Sequence, residues 1–217
     1  ERLPDRLQRP YYVIGAEVPI PGGTLENPEE IQVTRPEDVA EFIALAESRF
    51  QKAGLSAAWE RLLAVIVQPG VEFGNFSVAR YVPAKARALS TFHRNLPGSM
   101  TYEIRSTDYQ TPASLAHMVA DHFTLLKTGP CLTNAFREAV FALEEAETES
   151  LKFRRGVVRS DIRMVLERVM TATPVHWRSH YHGTADELRQ MRCSSMLDRI
   201  RYYWGHPDVE SALGRLH

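Results

Sequence analysis

The sequence predicts an α/β fold of the (β/α)8 TIM-barrel type, with about the second half of the barrel present as four βα units and a C-terminal helical region after them. Three observations carry that expectation. Four apolar runs rich in β-branched and aromatic residues recur within residues 1–151, each is followed by a stretch with helical spacing, and beyond Ser150 the strand pattern stops. Runs that are apolar throughout imply strands covered on both faces, hence a parallel sheet, and right-handed crossovers follow from chain chirality.

The first run, residues 11–18, reads as a buried strand and stops at Pro19-Ile20-Pro21-Gly22-Gly23, which can continue neither a helix nor a central strand. Thr34 is the expected N-cap of the next helix, in which Val39, Phe42, Ile43, Leu45 and Ala46 recur at helical spacing up to Gly54. The second run, 62–67, is closed by Gln68-Pro69-Gly70, and Pro83 opens its helix toward Asn95. The third, 100–104, ends in Arg105-Ser106-Thr107-Asp108, and Thr111-Pro112 caps a helix with Leu115, Met118 and Val119 on one face. The fourth, 123–126, ends in Lys127-Thr128-Gly129-Pro130 and feeds a helix over about 132–151 with an apolar stripe of Phe136, Val140, Phe141 and Leu143. Further helices are expected at 161–170, after Pro174, at 186–191, at 197–204 and after Pro207. Residues 1–151 are thus expected to form the barrel units, and 152–217 a helical extension packed on them through Trp177, Tyr181, Tyr202, Tyr203 and Trp204.

At 217 residues the chain falls short of the roughly 250 of a closed barrel. Half a barrel leaves two sheet edges, so the expectation is either a longer protein or a covering copy or partner. Twenty-six basic against twenty-seven acidic side chains leave no positive excess for a nucleic-acid backbone. No run of about eighteen apolar residues suggests a membrane helix, and residues 1–10 lack the apolar core of a signal peptide. The two cysteines, Cys131 and Cys193, show no CxxC spacing, so a reducing, cytoplasmic setting is expected.

Chemistry in parallel α/β folds collects at the C-terminal strand ends. There Lys127 and Gly129 precede a helix N-terminus with Thr133 just inside it, an arrangement suited to the phosphate of a sugar phosphate, as against a plain strand-to-helix turn. Ser106, at the end of the third strand, joins the same expected phosphate set. Glu17, at the end of an apolar strand, and Asp108 are the candidate acid/base carboxylates; Glu17 paired with Arg105 or Lys127 is the structural alternative. Gln68 and Arg105 are expected to line the pocket, Arg105 with Asp108 forming either a polar floor or an ion pair that closes the barrel mouth, while Glu72 reads as solvated. His93, His117 and His122 lie away from strand ends, and His176, His180 and His182 lack an HExxH or carboxylate pattern, so no metal ligand is assigned among them. Residues 198–204 read most simply as an amphipathic helix docking Ile200, Tyr203 and Trp204, with a phosphate or a partner for Arg199 and Arg201 as the alternative. The absence of GxxxxGK[ST] disfavours a kinase.

Residues 11–23 (YYVIGAEVPIPGG) resemble a segment of the family containing the accessory, non-catalytic subunit of class II tagatose-bisphosphate aldolase. In the same order so do 67–73 (VQPGVEF), 106–111 (STDYQT), Asp121-His122-Phe123, Leu126-Lys127, Gly129-Pro130, 136–139 (FREA) and 198–204 (DRIRYYW). The resemblance implies a barrel in galactitol and tagatose-phosphate catabolism that stabilises and activates a catalytic class II aldolase subunit, or alternatively a ketohexose 6-phosphate 4-epimerase; the family has also carried the label tagatose-6-phosphate kinase. It implies a sugar-phosphate ligand and, as partner, the catalytic subunit or further copies of the chain. It leaves the cofactor open, a divalent zinc or manganese ion completed by residues outside this chain being one alternative. The family usually has a His before the Ser-Thr-Asp-Tyr-Gln segment, at a metal-ligand position of related aldolases. Here that position is Arg105, whose guanidinium stays protonated and cannot ligate a metal.

Overall fold

In a computed structural model the described residues are 10–15 and 31–216. Contacts group the chain into two compact units. One carries the βα elements up to Thr128, and the other runs from Gly129 onward together with Phe73–Ser77.

The first unit is a parallel sheet with its crossover helices. β1 (Tyr12–Ile14), β2 (Leu62–Val67), β5 (Thr101–Ile104) and β6 (Phe123–Leu126) lie in the order β1-β2-β5-β6, every pairing parallel. Each new strand joins beside the preceding one of this sheet and never doubles back. That is the progression of a barrel, here an open arc of four strands, and it bears out the expected α/β class. The strands form because their apolar side chains are covered on both faces, and Ala64, Val65, Tyr102, Ile104 and Phe123 are fully buried. α1 (Pro36–Lys52), α3 (Pro83–Phe92) and α4 (Pro112–Ala120) supply the cover with Val39, Ile43, Ala86, Leu89 and Met118.

β1 departs from the expected buried strand. Among the described residues it is the edge strand of the sheet, and Tyr12 and Val13 are 41% and 38% exposed. Thr34 is not the N-cap of α1: Arg35 holds that position without a side-chain cap, and the Thr34 hydroxyl accepts from the Gln68 N–H at 2.8 Å. Thr111 does cap α4, its hydroxyl accepting from Ser114 N–H at 3.1 Å. Thr111→Ala is expected to cost about 1 kcal/mol in urea unfolding, while Thr111→Ser, which keeps the acceptor, should cost only a few tenths. Two short elements escaped the sequence reading, α2 (Ser56–Trp59) and a hairpin of β3 (Glu72–Phe73) and β4 (Val78–Ala79), because two-residue strands and single turns carry no readable periodicity.

The second unit is helical: α5 (Pro130–Ser150), α6 (Ile162–Ala172), α7 (Ala185–Ser194) and α8 (Pro207–Arg215), with 3-10 segments at Pro174–His176 and Arg199–Tyr202. α6 packs on both α7 and α8. The buried face of α5 is not the predicted stripe. Val140 and Phe141 are buried, but Phe136 and Leu143 are 46% and 49% exposed, and Arg137 and Glu147 take the interior positions. Glu147 is buried because the Ser160 N–H donates to both of its carboxylate oxygens, at 3.0 and 3.1 Å, which also satisfies a backbone group near the start of α6. The expected helix at 197–204 is only the 3-10 turn, since Asp198 adopts φ 45° and cannot continue a right-handed helix.

Candidate functional site at the strand ends

In the first unit β2, β5 and β6 end in register at Val67, Ile104 and Leu126, so Gln68, Arg105 and Lys127 open three neighbouring loops. Gln68 caps its own turn. Its side-chain oxygen accepts the N–H groups of Gly70 and Val71, both at 2.9 Å, and Gly70 takes φ 92°, which calls for glycine.

Arg105 donates from Nε to the Glu103 carboxylate at 3.2 Å. Glu103 precedes it by two positions, so the period-2 pleat of β5 puts both on one face. That spacing was the available signal, and the sequence reading missed it. The side chains are 25% and 13% exposed, so this is a partly shielded pair at the mouth of the sheet.

The next loop is held under strain. Ser106 and Tyr109 both have positive φ, 56° and 61°, and bracket Thr107 and Asp108, which are 2% and 3% exposed. Non-glycine residues in this region cost on the order of 1–3 kcal/mol each and persist only where the surroundings hold them. Here the tethers are explicit. The Thr107 hydroxyl donates to the Lys127 carbonyl at 3.0 Å, and the Lys127 N–H donates to the Ile104 carbonyl at 2.9 Å. The Gln110 amide donates to the Ala79 carbonyl at 2.8 Å and accepts from the Tyr81 N–H at 3.1 Å.

Lys127 is exposed, and among the described residues its ammonium enters no ion pair. Glu72, expected to be solvated, is 4% exposed, because β3 draws it inside. Glu17 lies outside the described residues. Thus Gln68, Arg105, Ser106, Asp108 and Lys127 share one end of the sheet, with Ser106 and Asp108 on the strained loop. Gly129 and Thr133 belong to the second unit. There a Cβ on Gly129 would meet nothing within 4 Å, so packing among the described residues does not demand glycine. The Thr133 hydroxyl donates to the Pro130 carbonyl at 3.1 Å and lies beside the Asp198 carboxylate.

Comparison with known proteins supplies the family. The family described as D-tagatose-1,6-bisphosphate aldolase subunit GatZ/KbaZ-like matches residues 2–217. The chain belongs to this family. It is also similar to a solved structure, described as the crystal structure of a probable tagatose 6 phosphate kinase from Sinorhizobium meliloti 1021, at 40% identity and TM-score 0.83 over 95% of this chain. The match covers 49% of that protein, so the chain spans about half the length of this relative.

Within this GatZ/KbaZ-like chain the segments that suggested the family include all three described strand-end loops, at 67–73, 106–111 and 126–130. A divalent ion at these strand ends would take its ligands from outside the described residues. Arg105 offers a guanidinium in place of a lone pair, and among the described residues no group of three His, Cys, Asp or Glu side chains is positioned to hold an ion. No helix of the described residues is long and apolar enough to cross a membrane.

Proposed function

We propose that the protein carrying this chain is an accessory subunit that stabilises and activates the catalytic subunit of a class II tagatose-1,6-bisphosphate aldolase in galactitol and tagatose-phosphate catabolism, and that its own strand ends bind a sugar phosphate. The observation that carries this reading is Arg105: its guanidinium is turned onto Glu103 at the position where a metal-dependent barrel of this kind would need a lone-pair donor. Family membership supports the subunit role. The exposed Lys127 ammonium beside the tethered Ser106–Tyr109 loop supports phosphate binding.

A second reading, a ketohexose 6-phosphate 4-epimerase with Glu17 and Asp108 as its polar groups, is favoured by one observation, the buried Asp108 carboxyl on a strained loop at the strand ends. The intact protein separates the two. Added to a catalytic aldolase subunit, it is expected to raise that subunit's thermal stability and cleavage rate and to leave tagatose 6-phosphate alone unchanged. Turnover of tagatose 6-phosphate without any partner, together with a tightly held stoichiometric metal, would overturn the accessory reading. For the phosphate site, Lys127→Ala should weaken sugar-phosphate binding by about 1.5–3 kcal/mol in calorimetry, the worth of a charge-assisted hydrogen bond. Unchanged affinity would remove Lys127 from the site.

A further inference from the structure

The second unit carries a group of cations that the strand-end site does not use. Arg199 and Arg201 belong to the single 3-10 turn Arg199–Tyr202, and their guanidinium carbons lie 4.7 and 4.8 Å from the centroid of the Tyr202 ring. His176 stacks on the same ring at 5.0 Å. The cluster is built, not incidental. Arg199 Nε donates to the His176 carbonyl at 2.6 Å, and Arg201 donates to the Leu197 carbonyl at 2.8 Å and to the Tyr202 hydroxyl at 3.2 Å. Arg199 is 7% exposed while Tyr202 is 47% exposed, so a recessed charge sits behind an accessible aromatic edge.

Arginines this deep ordinarily face a carboxylate. In the same unit Arg137 has Asp198 and Arg192 has Glu167. Among the described residues, neither Arg199 nor Arg201 has a carboxylate at ion-pair distance. Asp198, whose carboxylate feels Arg201, is committed to Arg137. The charge of the two arginines also acts on their neighbours. Burial, then Arg199, Arg201 and His182, push His180 below its ordinary value. Burial raises the Tyr202 phenol, but the hydrogen bond and charge of Arg201, with the charge of Arg199, outweigh it and leave the phenol below the usual tyrosine range. The tyrosine oxygen is thus the acceptor that faces the pair.

We propose that Arg199, Arg201 and Tyr202, with His176 behind them, form a second anion site that takes the phosphate group of a small phosphate monoester. Charge sets the class of ligand. Two guanidinium groups are matched by a dianion, and a phosphate monoester carries about −1.5 to −2 near neutrality, whereas a carboxylate would compensate only one of them. Guanidinium forks also suit tetrahedral phosphate oxygens better than ammonium point charges do. The site draws on no residue of the strand-end phosphate set.

The test uses the intact polypeptide, titrated with inorganic phosphate and with a hexose 6-phosphate, and followed by calorimetry and by chemical shifts of Tyr202 and of the arginine side chains. Saturable binding is expected, about tenfold or more weaker in Arg201→Gln and in Arg199→Lys, which keeps the charge but loses the fork, and unchanged at these resonances in Lys127→Ala. Circular dichroism of both arginine variants shows whether the unit remains folded, and if Arg199→Lys fails to fold, Arg201→Gln and the shifts decide. Binding that disappears only with Lys127→Ala belongs to the strand ends and overturns this site while leaving the proposed function intact. Absence of saturable binding, or an oligoglutamate peptide that binds through these arginines where phosphate does not, also overturns it, the latter in favour of a protein partner's carboxylates.

Discussion

Arg137→Ala is expected to destabilise the protein by about 3–5 kcal/mol in urea unfolding, the scale seen when one member of a buried ion pair is removed. The Arg137 side chain is 2% exposed and its partner Asp198 is fully buried. One terminal nitrogen donates to Asp198 and to the Ser195 carbonyl, both at 2.9 Å, and the other donates to Glu138 at 2.9 Å and to Asn134. Truncation leaves the Asp198 carboxylate in the interior with its charge uncompensated. Burial already holds that carboxyl above the ordinary aspartate range, against the pull of Thr133 and Arg137, and among the described residues its second oxygen has no hydrogen-bond partner. Asp198→Asn should cost less than Arg137→Ala, because asparagine tolerates the φ of 45° and still offers an oxygen to Arg137. A loss below about 1 kcal/mol for Arg137→Ala would show that the pair behaves like an exposed one and holds nothing together.

Phe123→Ala is the second large effect, about 3–5 kcal/mol, by loss of a fully buried ring and the cavity it leaves. Phe123 opens β6 and packs against Tyr102 at 5.5 Å and edge-on to Tyr81 at 6.0 Å. Those tyrosines are themselves anchored, Tyr102 donating to the Leu89 carbonyl at 3.0 Å and Tyr81 to the Asp121 carboxylate at 2.6 Å. Because the neighbours are tied to backbone and charge, they cannot collapse into the space, so the high end of the range is expected. Phe123→Leu should recover more than half of the loss. If the alanine variant loses only the transfer free energy of the ring, the two tyrosines have relaxed into the cavity and their anchors are weaker than the geometry implies.

The strands of the sheet were legible because their signal is local. The runs at 62–67 and 123–126 match β2 and β6 to the residue, and a run apolar on both faces is enough to ask for a parallel sheet. Thr111 was legible as a cap for the same reason, its partner lying three residues away. Thr34 failed by the same test. A threonine before an acidic helical stretch is a cap by local rules, but its hydroxyl was taken by Gln68, thirty-four positions along the chain.

The candidate site divides in the same way. That Gln68, Arg105 and Lys127 stand at strand ends follows from where each apolar run stops, and the structure brings those strand ends into register. That Arg105 turns onto Glu103, that Ser106 and Tyr109 are held in left-handed conformations, and that Gln68 spends its side chain on its own turn are outcomes of hydrogen bonds closed only after folding. The sequence by itself determined the α/β class, the order of the units and the polar character of the strand ends, because hydrophobic periodicity and turn residues act over a few positions. Only the tertiary structure decided which charges went inside. On α5 the local pattern nominated Phe136 and Leu143 for the interior, and Arg137 and Glu147 went there instead. A buried charge is tolerable only beside its partner, and those partners, Asp198 sixty-one residues on and Ser160 thirteen, become neighbours through the fold alone.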